Sequence, residues 1–436
     1  MLNLEKGNPK LINAWAFYDW ANSVYSLVIA TAVFPIYYEA ITSGNGGIVT
    51  FLGTEFHNST LLSYSLSFSF LIVAFLSPIL SGIADYTGNK KRFMQFFCYL
   101  GSLSVISLYF FDGVANLWIG IVFTILASIG FWGSVVFYNS YLPEIAYPEQ
   151  QDRVSAKGFM FGYSGSILLL AFNLVMIMKP DLFGITDLTL PARISFLMVG
   201  IWWMGFAQIT FYYLPNNVIN KKPEKDIIFK GLKELKLVLQ SLKKLTSLKQ
   251  FLIAFFLYSI GVQTIILLAG IYGKKELGIE TNKLIITILL IQVIAIFGAF
   301  VFARISERIG NIKTLKLTIA IWGIICFAAY LLDANNEYID LQFYTLGGII
   351  GMVLGAIQSL SRSTYSKLLP ETEDHATYFS FFDVTEKVAI VLGTFIFGFV
   401  GSITDSLRNS IFILAVFFLF GYMVLSFMKK NELISK

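Results

Sequence analysis

Gly82-Ile83-Ala84-Asp85-Tyr86-Thr87-Gly88-Asn89-Lys90-Lys91-Arg92 ends one long apolar run and begins another. Residues 61–84 contain no charged side chain, and neither do residues 93–111. Crossing the hydrocarbon core takes about 20 mostly apolar residues. Within lipid, a helix satisfies its own backbone hydrogen bonds. The stretch therefore predicts two membrane-spanning helices joined by a tight charged turn. Gly82 would let a neighbouring helix approach closely. Asp85, at a helix end, can accept hydrogen bonds from another helix's N-terminus or from an arginine. Gly88 permits the turn, and Lys90 with its basic neighbours would anchor to anionic headgroups.

The same alternation runs through the chain. Of 436 residues, 56% are hydrophobic and only 14% are charged, against about 25% charged in a soluble globular protein. Mean hydropathy is +0.71. Twelve spans are predicted, at about 14–40, 61–84, 93–111, 115–140, 158–178, 193–213, 250–272, 284–304, 314–332, 342–363, 378–402 and 408–428. This is an all-α membrane protein. The first apolar run is full-length and lacks a small-residue cleavage site, so it reads as a span rather than a signal peptide. Cys98 and Cys326 fall within apolar segments and predict packing residues, not a disulfide framework.

With the N-terminus placed in the cytoplasm, 25 of the 32 Lys and Arg fall in cytoplasmic segments and six on the other side. Lys387 lies within a span. That bias predicts both termini in the cytoplasm. It also accounts for the net charge of +5 without nucleic acid. The longest polar interruption divides the chain into an N-terminal six-helix bundle (1–213), a linker (214–249) and a C-terminal six-helix bundle (250–436). In the linker, Ile228, Leu232, Leu235, Leu239 and Leu242 recur at helical spacing, with lysines on the other faces. They predict an amphipathic helix at the cytoplasmic interface.

The halves resemble each other. Asp85-Tyr86-Thr87-Gly88-Asn89 returns as Glu307-Arg308-Ile309-Gly310-Asn311, offset by 222 residues. Leu142-Pro143-Glu144 returns as Leu369-Pro370-Glu371, offset by 227. A parallel repeat of six spans implies two bundles about an axis along the membrane normal, with a site between them. Lys90 from the first loop, and Glu307 and Gly310 from the second, join Gly82, Asp85 and Gly88 as a candidate cytoplasmic latch.

The loop from Gly82 to Arg92 resembles the conserved turn between helices two and three of the major facilitator superfamily, although Tyr86 and Asn89 replace basic residues of that pattern. Three further stretches narrow the likeness: Trp15-Ala16-Phe17-Tyr18-Asp19-Trp20-Ala21-Asn22-Ser23, Tyr138-Asn139-Ser140-Tyr141-Leu142-Pro143-Glu144, and Gln358-Ser359-Leu360-Ser361-Arg362-Ser363. Together they resemble the "unknown major facilitator" branch, which includes bacterial permeases and fungal vacuolar amino-acid effluxers. The resemblance implies two pseudo-symmetric six-helix bundles. It also implies alternating access and a small polar cargo such as a neutral amino acid, in a bacterial inner membrane. One departure stands out. Relatives often carry an acidic residue in span seven, where this chain has Ile260.

Polar groups inside spans mark the candidate pathway, because a charge in the bilayer is costly unless paired or wet. Asp19 and Asn22 lie in span one, with Tyr25 beyond them. Tyr138 and Asn139 end span four, and Gln358 and Arg362 end span ten. Asp383, Glu386 and Lys387 lie on one face of span eleven. Tyr163 and Gln263 are further candidate lining residues. Two readings are open: a cytoplasmic gate whose charges pair across the bundles, or a substrate and proton site. Asp19 and Glu386 are the preferred proton carriers. No nucleotide-binding loop or nucleophile elbow is present. No enzyme activity and no cofactor is expected. A proton gradient or the cargo's own gradient would supply the drive. The rival reading is a transport-inactive scaffold or receptor that keeps the fold.

Overall fold

The computed structural model describes residues 4–215 and 227–428; the side chains of 227–231 and 234, Ile228 among them, lie outside that description. Twelve helices are long and apolar enough to cross a membrane. They are Pro9–Thr42, Asn58–Thr87, Lys90–Phe110, Val114–Ile145, Gln151–Met178 and Leu190–Tyr213, then Thr246–Lys275, Thr281–Ile309, Asn311–Tyr330, Ile339–Leu368, His375–Thr404 and Leu407–Ser426. They correspond one to one with the predicted spans and are numbered one to twelve below. Most are longer than predicted. An apolar run marks only the hydrocarbon crossing, whereas backbone hydrogen bonding carries the helix on into charged residues. Span ten was expected to stop at 363 and continues to Leu368. Arg362, expected at the very end of the span, is therefore about a turn and a half inside the helix and buried.

Local chemistry sets the ends and irregularities. Asn8 accepts the Lys10 backbone N–H at 2.9 Å, and Pro9 opens span one without needing a donor. Within span one, Tyr25–Val33 winds as a wide π-helical stretch before Pro35. Proline has no N–H to offer the preceding turn, and the wider turn accommodates the mismatch. Between spans one and two, Ile48–Phe51 pairs antiparallel with Thr54–His57. The hairpin turns at Leu52 and Gly53, both at positive φ. It was not expected from the sequence.

Each bundle has its own apolar core. One runs from Leu11 to Leu214 and takes in Ala376 of span eleven where the bundles meet, the other from Val238 to Leu425. The helix neighbours repeat six spans apart. Span one packs on five and six, as seven packs on eleven and twelve; three packs on four and six, as nine packs on ten and twelve. Between bundles, two meets eleven and five meets eight. The turn glycines repeat too: Gly88 and Gly310 both take positive φ, at 68° and 88°.

The linker helix, Ile227–Lys244, packs on span two of the first bundle and on spans seven and eleven of the second. Among its described side chains Val238 and Leu242 are buried, while Leu232 and Leu239 are exposed. The expected leucine stripe is thus rotated toward Val238, because protein rather than a lipid interface covers the helix.

Glycines set the closest approaches. A Cβ on Gly355 of span ten would lie 2.1 Å from the Ala295 carbonyl oxygen of span eight; one on Gly323 would meet nothing within 4 Å. Overpacking of this kind costs about 1–3 kcal/mol. Gly355→Ala is expected to lower the melting temperature in detergent, and Gly323→Ala to leave it unchanged. Equal behaviour of the two would refute the packing account.

Candidate functional site

Both described ends of the chain and the linker helix lie at one face of the bundle, called here the basic face. Asp19 is ten residues into span one, about 15 Å along the helix. Its carboxylate is buried. Oδ2 accepts the Tyr138 hydroxyl at 2.7 Å and both terminal nitrogens of Arg362 at 3.3 Å. Arg362 also donates to the Asn139 side chain at 3.1 Å, to Ser155 Oγ at 2.9 Å and to the Ser155 carbonyl at 2.8 Å. The rings of Trp15 and Phe159 flank its guanidinium, with centroids at 4.9 and 4.2 Å. A planar, weakly hydrated guanidinium suits such a cage better than an ammonium would. Arg362 belongs to the second bundle and all these partners to the first. Beside them, Tyr163 donates to Gln358 at 2.5 Å, again across the bundles.

Room for the pair comes from span five. A Cβ on Gly158 would lie 2.4 Å from Asp19 Oδ2 and 2.9 Å from Arg362 Nη2. Gly162 and Gly165 let spans one and five approach in the same way.

A second layer of contacts lies nearer the basic face. Asp85 accepts the backbone N–H groups of Ala376 and Thr377, at 3.2 and 2.7 Å, and the Thr377 hydroxyl at 2.8 Å. A carboxylate thus caps the N-terminus of span eleven, where the helix dipole favours it. Gly82 is buried in the same helix, and Gly88 forms its left-handed end. The other side of this face uses a different acid, again from the first bundle. Asp152, at the start of span five, takes Lys367 at 2.7 Å, Asn311 at 2.7 Å and the Ser306 hydroxyl. Glu307, the sequence counterpart of Asp85, instead pairs with exposed Arg153. Gly310 precedes Asn311 and opens span nine. Lys90 does not reach for headgroups as expected: it is buried and bonded to Glu144, while Lys91 donates to the Leu214 carbonyl at 2.9 Å. His375 Nδ1 lies 3.0 Å from the same Glu144. Burial raises the neighbouring Asp374 carboxyl above the usual carboxylate range, against an opposing hydrogen bond from Thr372.

A third group lies deeper. Lys387 is twelve residues into span eleven, about 18 Å along a helix of about 45 Å. Its Nζ is 2.8 Å from Asp383 and 3.3 Å from Glu386. It also sits 3.4 Å from the centre of the Trp132 ring, on span four of the other bundle. Gln263 of span seven donates to Glu386 at 2.7 Å. One oxygen of Asp383 is buried without a hydrogen-bond partner. Ile260, which stands where relatives often carry an acid, is buried against Gly393 of span eleven.

The candidate residues therefore divide into two groups, and among the described residues no hydrogen bond joins them. Asp19 is tied to span ten, not to the charges of span eleven. Asn22 is buried on span one, its Oδ1 accepting from Ser23. Tyr25 is packed inside the first bundle between Phe131 and Trp203 and does not face the second. Sequence reading missed Asp152, Ser155, Lys367, Trp132 and the Glu144–His375 contact. The acid in the first turn of span five was a visible sign of Asp152; the others carry no local signal.

The contacts are one-sided. Among the described residues, every hydrogen bond and ion pair between the bundles lies between the basic face and the Lys387 level. Ion pairs at the opposite face, Lys283–Asp340 and Arg408–Glu276, stay within one bundle. The bundle is closed at its basic face.

Residues 7–433 match the family model described as vacuole effluxer Atg22-like. The chain belongs to this Atg22-like family. It is an integral membrane protein of the major facilitator type, a class of transporters and not of enzymes. An MFS-type transporter of Bacillus subtilis, YxiO, is 31% identical over 421 residues, covering 96% of this chain and 95% of its own length. Autophagy-related protein 22-1 of Penicillium rubens is 22% identical, covering 85% and 75%. In fold, the Atg22-like chain is similar to the transporter FucP in its outward conformation, with TM-score 0.70 at 15% identity over 97% of this chain and 99% of FucP. A bacterial homologue of the iron transporter ferroportin, outward-facing, gives TM-score 0.64 at 14% identity, covering 96% and 98%.

Breaking a buried ion pair by removing one partner costs about 3–5 kcal/mol. Spin labels placed by Glu149→Cys and Glu371→Cys, one on each bundle at the basic face, report its closure; both native cysteines are buried. Arg362→Ala and Gly158→Ala are each expected to shift the label distances from a short, narrow distribution to longer ones. An unchanged distribution in both would remove Asp19–Arg362 from the gate.

Proposed function

We propose that the protein exports a small zwitterionic metabolite, an amino acid, across a bacterial cytoplasmic membrane by alternating access. The observation that carries this reading is the group around Lys387. It presents one ammonium and two carboxylates at the seam between the bundles, far from either aqueous face, with an aromatic ring and a side-chain amide beside them. A zwitterion has the complementary charges. Lys387 would take its carboxylate, and the unpartnered oxygen of Asp383 its ammonium. The names of the fungal relatives, which concern autophagy, and the effluxer description of the family support export.

The Lys and Arg bias orients the basic face toward the cytoplasm, with both termini there. On that reading the structure is closed to the cytoplasm. Asp19, Tyr138, Asn139 and Arg362, together with Asp85 and Asp152, form the gate that must part for cargo to enter from the cell. The Arg362, Asp85 and Asp152 contacts all cross between bundles, so rocking the bundles breaks them together. When transport is coupled to protons, Glu386 carries them: it is partly accessible and shares its ammonium partner Lys387 with the nearer Asp383, whereas Asp19 is buried and fixed by Arg362. Division into bundles at 1–213 and 250–436, with the linker strapping both, gives the rocking units.

Flux of labelled amino acids from proteoliposomes tests the reading. At least one neutral amino acid is expected to leave faster than from protein-free vesicles, with a pH gradient accelerating it. Glu386→Gln is expected to abolish that acceleration while leaving amino-acid exchange intact. Absence of flux across a broad panel of small polar metabolites would favour a fold kept as a scaffold or receptor.

A further inference from the structure

Outside the gate and the Lys387 group, spans five and eight enclose a groove of about 550 Å³ at the basic face. Its polar rim is strongly positive: Arg153, Lys157, Arg304 and Arg308 line it, with Glu307 the one acid. Glu307 is engaged by Arg153. Among the described residues no carboxylate pairs with Lys157, Arg304 or Arg308. Lys157 meets the neutral Asn13 amide oxygen at 2.5 Å and the Phe161 ring at 5.7 Å, and the Arg304 guanidinium lies 4.1 Å from the Phe300 ring centre. The floor is apolar, formed by Met160 and Phe300 with the small side chains of Ala156 and Ala303.

The depths match a lipid. Lys157 is six residues into span five and Arg304 five residues from the end of span eight. Both lie about 7–9 Å inside their helix ends, near the boundary between headgroups and acyl chains. Met160 and Phe300 lie about one turn deeper. We propose that this groove binds an anionic phospholipid, its phosphate on Lys157, Arg304 and Arg308 and an acyl chain along Met160 and Phe300. Basic pockets between membrane helices suit such headgroups. The two walls belong to different bundles, so a lipid touching both binds best when the basic face is closed. It shifts the population toward that state.

Native mass spectrometry of the full-length protein, incubated with phosphatidylglycerol or with phosphatidylcholine, tests the site. Wild type is expected to retain phosphatidylglycerol about tenfold better. Lys157→Gln/Arg304→Gln/Arg308→Gln is expected to remove that preference, and Lys313→Gln/Lys316→Gln, elsewhere at the basic face, to preserve it. If the triple variant does not fold, Arg304→Gln alone is expected to reduce retention about threefold. In nanodiscs, the labels at positions 149 and 371 should report a larger closed fraction in phosphatidylglycerol than in phosphatidylcholine. Equal retention of the two lipids by wild type, or full retention of phosphatidylglycerol by the folded groove variant, overturns the proposal. So does equal closure produced by inorganic phosphate in phosphatidylcholine nanodiscs, which would assign the groove to a free anion.

Discussion

A guanidinium buried between two helical bundles has to find its hydrogen bonds there, because the membrane offers none. Arg362 finds them entirely on the opposite bundle: a carboxylate, an amide, a hydroxyl and a carbonyl, walled by aromatic rings. Neither bundle alone could bury this charge at tolerable cost. The contact therefore makes the closed arrangement a defined state rather than a loose association. It also fixes local sequence: glycine at 158, because any side chain would occupy the place of the pair, and tyrosine at 138, whose hydroxyl completes the carboxylate's coordination.

Around that pair the closed face is built twice with unequal chemistry. On one side an acid from span two caps span eleven; on the other an acid from span five gathers a lysine, an asparagine and a serine from spans eight, nine and ten. The repeat supplies the architecture, but both acids come from the first bundle and each meets a different set of partners on the second. An opening motion has to release both, together with the central pair. That makes the transition cooperative, since interfaces of this kind switch between discrete arrangements.

The charges of span eleven obey a different logic. Lys387 is neutralised mainly by its own helix, through Asp383 and Glu386, with Trp132 as its contact to the other bundle. A group satisfied in this way can exchange its partners for a ligand's without dismantling the gate. The division of labour between the Arg362 and Lys387 groups follows from where their partners reside.

Much of the fold was legible in the sequence. Charge-free runs of about 20 residues can only cross the bilayer as helices, and the recurrence of the Gly88-Asn89 turn as Gly310-Asn311 exposed the duplication. The Asp383–Lys387 pair was legible too, because helical spacing alone brings those side chains together. Tertiary structure decided the rest. Hydropathy marks where a helix crosses lipid, not where its hydrogen bonding stops, so Lys367 fell beyond the predicted end of span ten at 363 yet lies in the helix's last turn. Lys90 looked like a lipid anchor until Glu144 was found beside it. Tyr25 looked like a lining residue and is buried against Phe131 and Trp203. The sequence by itself determined which residues cross the membrane and which charges share a helix. Which charges on different helices face each other depended on packing between segments from about fifty to more than three hundred residues apart, and no local pattern encodes that distance.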